Sequence, residues 1–493
     1  MFTEITPEQA GISSRSVAKF IQKMEQRGLY SHSVLLARGD RIFCEGYWAP
    51  YNADSLNRLY SQTKSFEGIA ICLLADEGKL SLDDRIVDHF PEKIHREIPA
   101  HLSRQTIRHM LNMQTCLTDP AWFADKSAVD RTEYYLNRIP PFRTPGLVWQ
   151  YDSAGSQVLT SLVEKLSGMR LLDYLKVKLF NAMGTFSTAR ILKTRNGDSW
   201  GDSALLCTLR DVASFGWLLM NGGKYGDTQL IPEALVQEAI AKQVDCDETG
   251  FGEAFHADGY GYQIWHFLDG FAFVGMGGQL TVAFPQRDLL FSITGDNQGY
   301  PGAYSLILAC LQDFILDELQ DSPLPENPEA FAELQSLLSS LQLKHIPGPT
   351  ESAYQNTLNG VRYICEENRM DISEFSFRFD SEDTGVFCYR NAQGYKELPF
   401  GLGKNVFGKF PQWGYSDEYG GLSGGDDFFY DCAASAAWRE EQKLVLKVQI
   451  IDKYLGNFFA IFSFRDGGAC VHISKTAEDF LHEYYGWINA KAE

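Results

Sequence analysis

One segment constrains the fold of this chain more than any other, a helix predicted over residues 61 to 77 that is apolar nearly all the way round. Its apolar side chains are Phe66, Ile69, Ala70, Ile71, Leu73, Leu74 and Ala75. A helix without a polar face is buried, so other elements must pack around it. Gly78 follows as a helix-terminating residue, because glycine readily adopts the left-handed conformation that ends helices.

Two predicted β-hairpins lie on either side of this helix in the sequence. The first joins residues 33–37 and 41–48 across the turn Arg38-Gly39-Asp40. That tripeptide also matches a receptor-binding motif, but a tight turn is the simpler interpretation. The second hairpin joins residues 280–284 and 289–294. Both ends of the first 320 residues therefore supply strands.

Helical patterns fill the rest of that region. A helix is predicted over 7–28, starting at Thr6-Pro7-Glu8. Helices and loops dominate 80–260, and an amphipathic helix covers 303–319. One antiparallel sheet flanked by helices, with an all-helical subdomain, satisfies this order. The fold class predicted for residues 1–320 is therefore α+β.

The remaining residues predict a second domain. Prolines punctuate residues 321–355, which we interpret as a linker with one short helix. Residues 356–493 are mostly strand-like, with Gly-rich turns, and predict an antiparallel β domain closed by a short C-terminal helix. A structural role for this domain is the simpler interpretation. The alternative is a cap over the active site, formed by a loop that contains Trp413, Tyr415 and Tyr419.

Composition and charge exclude several classes of partner. The 493 residues carry a net charge of −20, which repels phosphate backbones, so neither nucleic acid nor an anionic membrane is expected as a partner. No apolar run approaches the roughly 18 residues of a membrane span, and the N-terminus has no signal-peptide pattern. The ten cysteines show no regular spacing. We therefore predict a cytoplasmic protein without disulfides, a metal site or a cofactor.

The head of the buried helix carries the first chemical motif, Ser61-Gln62-Thr63-Lys64. Positions i and i+3 share one face of a helix, so the lysine amine can reach the serine hydroxyl and activate it as a nucleophile. The unpaired N–H groups at a helix N-terminus also stabilise an oxyanion. Ser16 and Lys19 have the same spacing, but they lie in the N-terminal amphipathic helix, where a surface lysine is the simpler interpretation.

Two further sequence motifs carry candidate catalytic residues. Tyr151-Asp152-Ser153 offers a tyrosine that can share a proton with the lysine, although a packed tyrosine is the usual outcome. Residues 275–279, Gly-Met-Gly-Gly-Gln, lead into the second hairpin. Glycines there permit close approach of a ligand to the backbone and can present an oxyanion-hole N–H, but a simple turn is an equally good interpretation.

In this order, the three elements resemble the serine β-lactamase and penicillin-binding-protein superfamily, and within it the class C-like esterases and amidases. The resemblance covers roughly residues 5 to 320. It extends to SQTKSFEGIAICLLADEGKLSLDDRIVDHFP at 61–91, TIRHMLNMQTCL at 106–117, PGLVWQYDSAGSQVLTSLVEKLSGM at 145–169, TLRDVASFGWLLMNGG at 208–223 and GYGYQIWH at 259–266.

The resemblance implies a role for each matching residue. Ser61 would form the acyl-enzyme, and Lys64 and Tyr151 would act as general base. The backbone N–H groups of Ser61 and Met276 would form the oxyanion hole. The residues expected to contact the substrate are Ser153, Gly275, Gly277 and Gln279.

Two departures from the family pattern bear on the substrate. The tyrosine motif usually ends in Asn, and here it ends in Ser153. The third motif is usually Lys-Thr-Gly or His-Thr-Gly, and here the aligned residues are Phe273-Val274-Gly275. The cation that would hold a substrate carboxylate is missing, so we expect weak or no binding of β-lactams. A small ester or amide is the expected substrate, and a second copy of the chain is an open alternative as a further partner.

Three rival hypotheses remain open at this point. Residues 421–425 match the nucleophile elbow G-x-S-x-G with Ser423 as nucleophile, but no helix pattern follows, so a Gly-rich loop is the simpler interpretation. The fold could serve as a non-catalytic binding or regulatory protein. A peptidase or β-lactamase in the strict sense is the third.

Overall fold

The computed structural model describes residues 2–117, 128–138, 143–246, 257–267, 269–414, 428–477 and 484–493. The chain divides into two compact units between Gln342 and Leu343, which lies within the predicted linker. The strands of the first unit are β1 (Thr3–Glu4), β2 (Ser31–Arg38), β3 (Arg41–Tyr47), β4 (Asn57–Arg58), β5 (Arg190–Ile191), β6 (Leu205–Cys207), β7 (Lys224–Tyr225), β8 (Thr228–Gln229), β9 (Gly259–Tyr260), β10 (Trp265–Phe267), β11 (Gly270–Gly275), β12 (Gln279–Phe284) and β13 (Leu289–Gly295).

Both predicted hairpins are present, and they pair with each other in one sheet. Its strand order in the described residues is β1-β3-β2-β13-β12-β11-β10-β9. Every pairing is antiparallel except β1 with β3. Leu36 of β2 lies opposite Phe291 of β13, so the two ends of the unit meet at the middle of the sheet.

Helices pack on this sheet and form the region between its two halves. They are α1 (Ser14–Gln26), α2 (Thr63–Asp76), α3 (Ile107–Leu111), α4 (Arg131–Leu136), α5 (Ser153–Ser167), α6 (Leu171–Leu175), α7 (Asn181–Met183), α8 (Leu209–Met220), α9 (Glu233–Ile240), α10 (Ala303–Leu311) and α11 (Pro328–Ser339). Two π-helical segments, Lys176–Phe180 and Gln312–Leu316, continue α6 and α10.

The predicted buried helix is α2, and it lies at the centre of the core. All residues from Thr63 to Leu74 are buried, polar ones included. Phe66 stacks on Phe215 of α8 with ring centroids 4.0 Å apart, and Phe273 of β11 packs on the same cluster. Gly68 permits a close approach, because a Cβ there would lie 2.5 Å from the Tyr262 carbonyl oxygen. The apolar pattern therefore fixes α2 in the centre of the unit.

The N-terminal helix starts later than predicted. We expected it to begin near Pro7, but α1 begins at Ser14, with Ser13 as the N-cap. Gly11 has φ +88°, which interrupts a right-handed helix at that point. The Glu8 carboxylate accepts hydrogen bonds from the Ser14 N–H and hydroxyl, both 2.8 Å long. The turn before the helix is therefore stabilised by contacts of its own.

The second unit is built from β strands, as predicted. They are β14 (Tyr363–Cys365), β15 (Glu374–Phe379), β16 (Thr384–Asn391), β17 (Gly394–Leu402), β18 (Val406–Trp413), β19 (Phe429–Glu440), β20 (Lys443–Ile451), β21 (Leu455–Arg465), β22 (Gly468–Ala477) and β23 (Gly486–Ala492), with a short helix α12 (Gln355–Leu358) before them. The described strands form one sheet in the order β17-β16-β15-β14-β23-β22-β21-β20-β19-β18, and β17 also pairs with β19. Phe377 packs on Phe387 and Phe462 inside it.

The predicted C-terminal helix is not found in the described part of that segment. Residues 486–492 form β23, which pairs with β22 on one side and with β14 on the other. Because both neighbours would otherwise have an unpaired edge, the backbone hydrogen bonds of the sheet favour a strand here. Residues 478–483 lie outside the described residues.

Candidate active site

Ser61 lies at the junction between a tight turn and the buried helix. Tyr60–Gln62 form a 3₁₀ turn that runs directly into α2. Tyr60 has φ +48°, a left-handed conformation that costs a non-glycine residue energy and so needs support from its surroundings. The Arg58 guanidinium lies 4.4 Å above the centre of the Tyr60 ring, which is fully buried. This packing holds the half-buried Ser61 at the edge of the core.

Lys64 is buried directly beside Ser61. Its Nζ donates a 3.0 Å hydrogen bond to the Ser61 Oγ and a 2.6 Å hydrogen bond to the Asp202 carbonyl oxygen. The side chain is only 1% exposed. The helical spacing therefore brings the amine to the hydroxyl, which is the geometry that general-base activation of a serine requires.

Asp202 is a member of the site that the sequence did not indicate. Its carboxylate is completely buried, 3.8 Å from the Lys64 Nζ. Burial raises the pKa of this carboxyl, and the charges of Lys64, Arg131 and Arg58 oppose that rise. Asp202 lies 138 residues after Lys64 and belongs to no motif, so no sequence signal could have found it.

Tyr151 also lies beside Lys64. The centre of its ring is 5.1 Å from the Lys64 Nζ. The same ring is stacked on Trp265 of β10, with centroids 5.8 Å apart and planes 15° apart. Trp265 also contacts Trp149 and Tyr260. The structure thus brings the three predicted catalytic residues together, and an aromatic cluster supports the tyrosine.

The other two residues of the tyrosine motif lie at the start of α5. Asp152 is the N-cap, and its carboxylate accepts a 3.1 Å hydrogen bond from the Gly155 N–H. Ser153 is the first residue of the helix and is half-buried. Burial raises the pKa of the Asp152 carboxyl to about 6, although hydrogen bonds from Thr115 and Gly155 oppose the shift.

This raised pKa predicts a pH-dependent stability difference between the wild-type protein and Asp152→Asn. The folded carboxyl stays protonated at pH values where the unfolded one ionises, so its stabilising contribution is present below the unfolded pKa and is lost as the pH rises through about 6. Asparagine can still cap the helix but does not titrate. Relative to wild type, the variant should therefore gain up to about 3 kcal/mol between pH 4 and pH 7.

Urea denaturation of both proteins across that pH range measures the difference. Two stability curves that run parallel from pH 4 to pH 7 would contradict the raised pKa of Asp152.

The glycine-rich segment forms the turn between β11 and β12. Gly275 ends β11, Gln279 begins β12, and Gly277 and Gly278 have φ +86° and +94°. A Cβ at Gly275 would lie 2.1 Å from the Leu59 carbonyl oxygen, two residues before the nucleophile. Met276, at the tip, is 40% exposed. The absence of a side chain at 275 therefore lets this turn lie against the nucleophile turn.

Gln279, a predicted substrate contact, binds the backbone of the glycine turn. Its side chain is buried, and its amide nitrogen donates to the carbonyl oxygens of Met276, at 3.1 Å, and of Gly295. Its amide oxygen accepts a 3.3 Å hydrogen bond from the Gly295 N–H. Because both ends of the amide bind backbone, Gln279 holds the turn in place.

Phe273, at the position of the family's cation, lies in the hydrophobic core. It is fully buried, with its ring centroid 5.5 Å from that of Phe215 and 6.3 Å from that of Phe66. The Phe273 side chain therefore packs in the core and supplies no charge that could bind a ligand.

Gln263 is a second residue that sequence reasoning missed. It is buried, with φ +61°, and its carbonyl oxygen accepts a 2.7 Å hydrogen bond from Ser65 of α2. Its side chain accepts from Ser156 of α5 at 2.9 Å and donates to the Met110 carbonyl oxygen of α3 at 2.9 Å. One residue thus connects the two helices that carry Lys64 and the tyrosine motif.

The remaining sequence candidates have local structural roles, belong to the second unit or lie outside the described residues. Ser16 bonds to the N-cap Ser13, and Arg38 of the Arg-Gly-Asp turn donates to the Ala10 carbonyl oxygen, so both have local structural roles. Trp413 ends β18 and is partly exposed. Ser423, Tyr415 and Tyr419 lie outside the described residues.

Three further observations concern metal ligands, cysteines and helix length. In the described ranges no group of three or more His, Cys, Asp and Glu side chains could hold a metal ion. All ten cysteines are free thiols. No helix in the described part of the chain is long and apolar enough to cross a membrane.

Comparison with known proteins places the whole site inside one matched region. The sequence profile of the Beta-lactamase family matches residues 17–304. The 6-aminohexanoate-dimer hydrolase of Paenarthrobacter ureafaciens is 24% identical over 280 residues, which are 53% of this chain and 71% of that protein. Penicillin-binding protein 4* of Bacillus subtilis (strain 168) is 25% identical over 220 residues, 43% of this chain and 47% of that protein.

A solved structure shows the same fold. A penicillin-binding protein homologue from Caulobacter crescentus matches with a TM-score of 0.50 at 19% identity, over 63% of this chain and 99% of that one.

Proposed function

Because this chain belongs to the β-lactamase family, we propose that it is a serine hydrolase that acts through an acyl-enzyme on a small ester or amide. Family membership is as predicted from the three motifs. The observation that carries the proposal is the 3.0 Å hydrogen bond from the Lys64 Nζ to the Ser61 Oγ, in a buried setting with Tyr151 beside it. A serine paired with a buried amine in this way is an activated nucleophile.

Acylation in this proposal begins with attack of the Ser61 Oγ on the substrate carbonyl carbon. The hydroxyl proton passes to Lys64 and Tyr151, which act together as the base. When the tetrahedral intermediate collapses, the bond from the carbonyl carbon to the leaving oxygen or nitrogen breaks, and the leaving group takes up that proton. The product of this step is an ester of Ser61.

Deacylation repeats these steps with water as the nucleophile. Water gives a proton to the same pair, attacks the ester carbon, and Ser61 leaves with its proton restored. In both steps negative charge develops on the carbonyl oxygen. We assign its stabilisation to the N–H groups of Ser61, at the head of α2, and of Met276, at the tip of the glycine turn. The missing Cβ at Gly275, which lets the two turns approach, supports this assignment.

The substrate class follows from the residue at the third motif. Phe273 lies in the core, so it supplies no cation for a substrate carboxylate. We therefore expect esters or amides without a recognised carboxylate at that position, and little turnover of β-lactams. The name of the Paenarthrobacter relative, a dimer hydrolase, supports a hydrolase of this general class.

The test is intact-protein mass spectrometry after incubation with a fluorophosphonate, together with turnover of p-nitrophenyl butyrate and nitrocefin. Wild type should take up one adduct, which maps to the peptide with Ser61, and should hydrolyse the ester much faster than nitrocefin. Ser61→Ala should lose both the adduct and the turnover. Ser16→Ala is the matched control, because Ser16 has the same lysine spacing, and it should behave as wild type.

Each contrary result favours a different alternative. An adduct that persists in Ser61→Ala would move the nucleophile elsewhere, with Ser423 the next candidate. A wild-type protein with neither adduct nor turnover would favour a non-catalytic binding protein. Rapid nitrocefin hydrolysis would favour a β-lactamase in the strict sense.

A further inference from the structure

Tyr304 lies beneath the glycine turn, and none of the three motifs includes it. It is the second residue of α10, and its hydroxyl accepts a 3.1 Å hydrogen bond from the Gly278 N–H. The same hydroxyl donates a 2.5 Å hydrogen bond to the Gly275 carbonyl oxygen. One side-chain oxygen therefore connects the two ends of the turn that presents the Met276 N–H.

We propose that Tyr304 is a positioning residue for the oxyanion hole, which acts by fixing the orientation of the Met276 N–H. The inference rests on the proposed function, in which this N–H stabilises the developing oxyanion. Such a donor contributes fully only when it is already oriented before the reaction, within about 0.5 Å of its working position.

The turn needs such support because of its composition. Gly277 and Gly278 both have left-handed φ values, and glycine loses more conformational freedom on folding than any other residue. Met276 itself is substantially exposed, so its side chain does little to hold the backbone. Hydrogen bonds from neighbouring elements must therefore fix the peptide planes.

Gln279 and Asn297 also bind the turn, but each of them binds a second segment, at the end of β13 or just before β2. Gln279 bonds to Met276 and to Gly295. Asn297 bonds to the Gly277 carbonyl oxygen, and its side chain accepts a 2.8 Å hydrogen bond from the Tyr30 N–H. Their replacement would disturb the sheet as well. The hydroxyl bonds of Tyr304 to the Gly278 N–H and the Gly275 carbonyl oxygen both end on the turn, so removing that hydroxyl tests the turn.

The protonation state of Tyr304 suits this role. Burial and the nearby Tyr151 raise the pKa of its hydroxyl, and the Gly278 N–H opposes the rise. The hydroxyl therefore keeps its proton at neutral pH and can donate to Gly275 while it accepts from Gly278.

The experiment compares Tyr304→Phe with the matched control Tyr300→Phe. Tyr300 precedes α10 by three residues, and its hydroxyl donates a 2.8 Å hydrogen bond to the Arg27 carbonyl oxygen, away from the turn. For each variant we would measure kcat and KM with p-nitrophenyl butyrate, the rate constant for fluorophosphonate inactivation, and the melting temperature. Fluorophosphonate is included because its reaction with serine also places an oxygen in the oxyanion hole.

We expect Tyr304→Phe to lower kcat and the inactivation rate constant together, by about 10-fold to 100-fold, with KM changed less than about 2-fold. Tyr300→Phe should stay within about 2-fold of wild type in every kinetic constant. A purely structural role for Tyr304 would lower the melting temperature without this split between kcat and KM.

Two kinds of result would overturn the inference, and they are distinguishable. If wild type is active, Ser61→Ala is inactive, and Tyr304→Phe matches Tyr300→Phe, then this inference alone is wrong. If wild type neither turns over the ester nor reacts with the fluorophosphonate, or if Ser61→Ala keeps both activities, the proposed function fails and the inference fails with it.

Discussion

Replacing Lys64 by methionine is expected to lower kcat/KM by about 10³-fold or more. Methionine keeps the unbranched apolar stem but removes the amine that lies 3.0 Å from the Ser61 Oγ. Without that amine, the Lys64–Tyr151 pair that takes up the serine proton in the proposed mechanism is broken, and Tyr151 loses the amine that lies 5.1 Å from its ring. Steady-state kinetics with p-nitrophenyl butyrate measures the loss.

The same replacement also affects stability, because the Lys64 amine lies beside a buried carboxylate. Asp202 lies 3.8 Å from the amine and is fully buried. Removing the amine beside such a charge costs up to about 3 kcal/mol, and the charges of Arg58 and Arg131 offset part of that cost. A loss of activity in Lys64→Met alone would therefore have two explanations.

The double variant Lys64→Met/Asp202→Asn separates them. It removes the amine and the carboxylate charge together, so the free energy of unfolding should recover most of what the single variant loses. Its kcat/KM should stay as low as that of Lys64→Met. If the double variant regained activity as well as stability, Lys64 would act only as a counter-ion, and its assignment as a base would be wrong.

Replacing Gly275 by alanine should damage both the fold and the site. The added Cβ would lie 2.1 Å from the Leu59 carbonyl oxygen and 3.1 Å from the Gln279 Cβ. Leu59 cannot easily move, because its N–H donates a 2.9 Å hydrogen bond to the carbonyl oxygen of Leu205 in strand β6. The glycine turn must therefore move away from the nucleophile turn. We expect a loss of about 2 to 4 kcal/mol in the free energy of unfolding.

Activity should fall as well, because the Met276 N–H moves with the turn. A displacement of about 1 Å at a catalytic donor lowers kcat about 100-fold. Gly408→Ala is the matched control, since Gly408 also lies in a strand and a Cβ there would meet no atom within 4 Å. Urea denaturation and kcat of both variants test the prediction. If Gly275→Ala were as stable and active as Gly408→Ala, the close approach of the two turns would not matter.

The parts of the fold predicted correctly are those set by local patterns. The apolar run of α2 fixes a buried helix, and the two strand-like runs on either side of Arg38-Gly39-Asp40 fix a hairpin, because each needs only residues close in sequence. The start of α1 was placed too early because the left-handed Gly11 and the bonds from Glu8 to Ser14 depend on the folded turn. The strand at 486–492 was missed because it forms by pairing with the edges of β14 and β22. The partner in β14 lies far away in sequence.

By itself the sequence determined the pairing of Ser61 with Lys64, since the i to i+3 spacing on a helix places both side chains on one face. The tertiary structure alone decided what surrounds that pair. Asp202 beside the amine, Trp265 beneath Tyr151, Tyr304 beneath the glycine turn and the core position of Phe273 all come from distant segments. The physical reason is that spacing along one helix is set by backbone geometry, whereas contacts between segments are set by how the whole core packs.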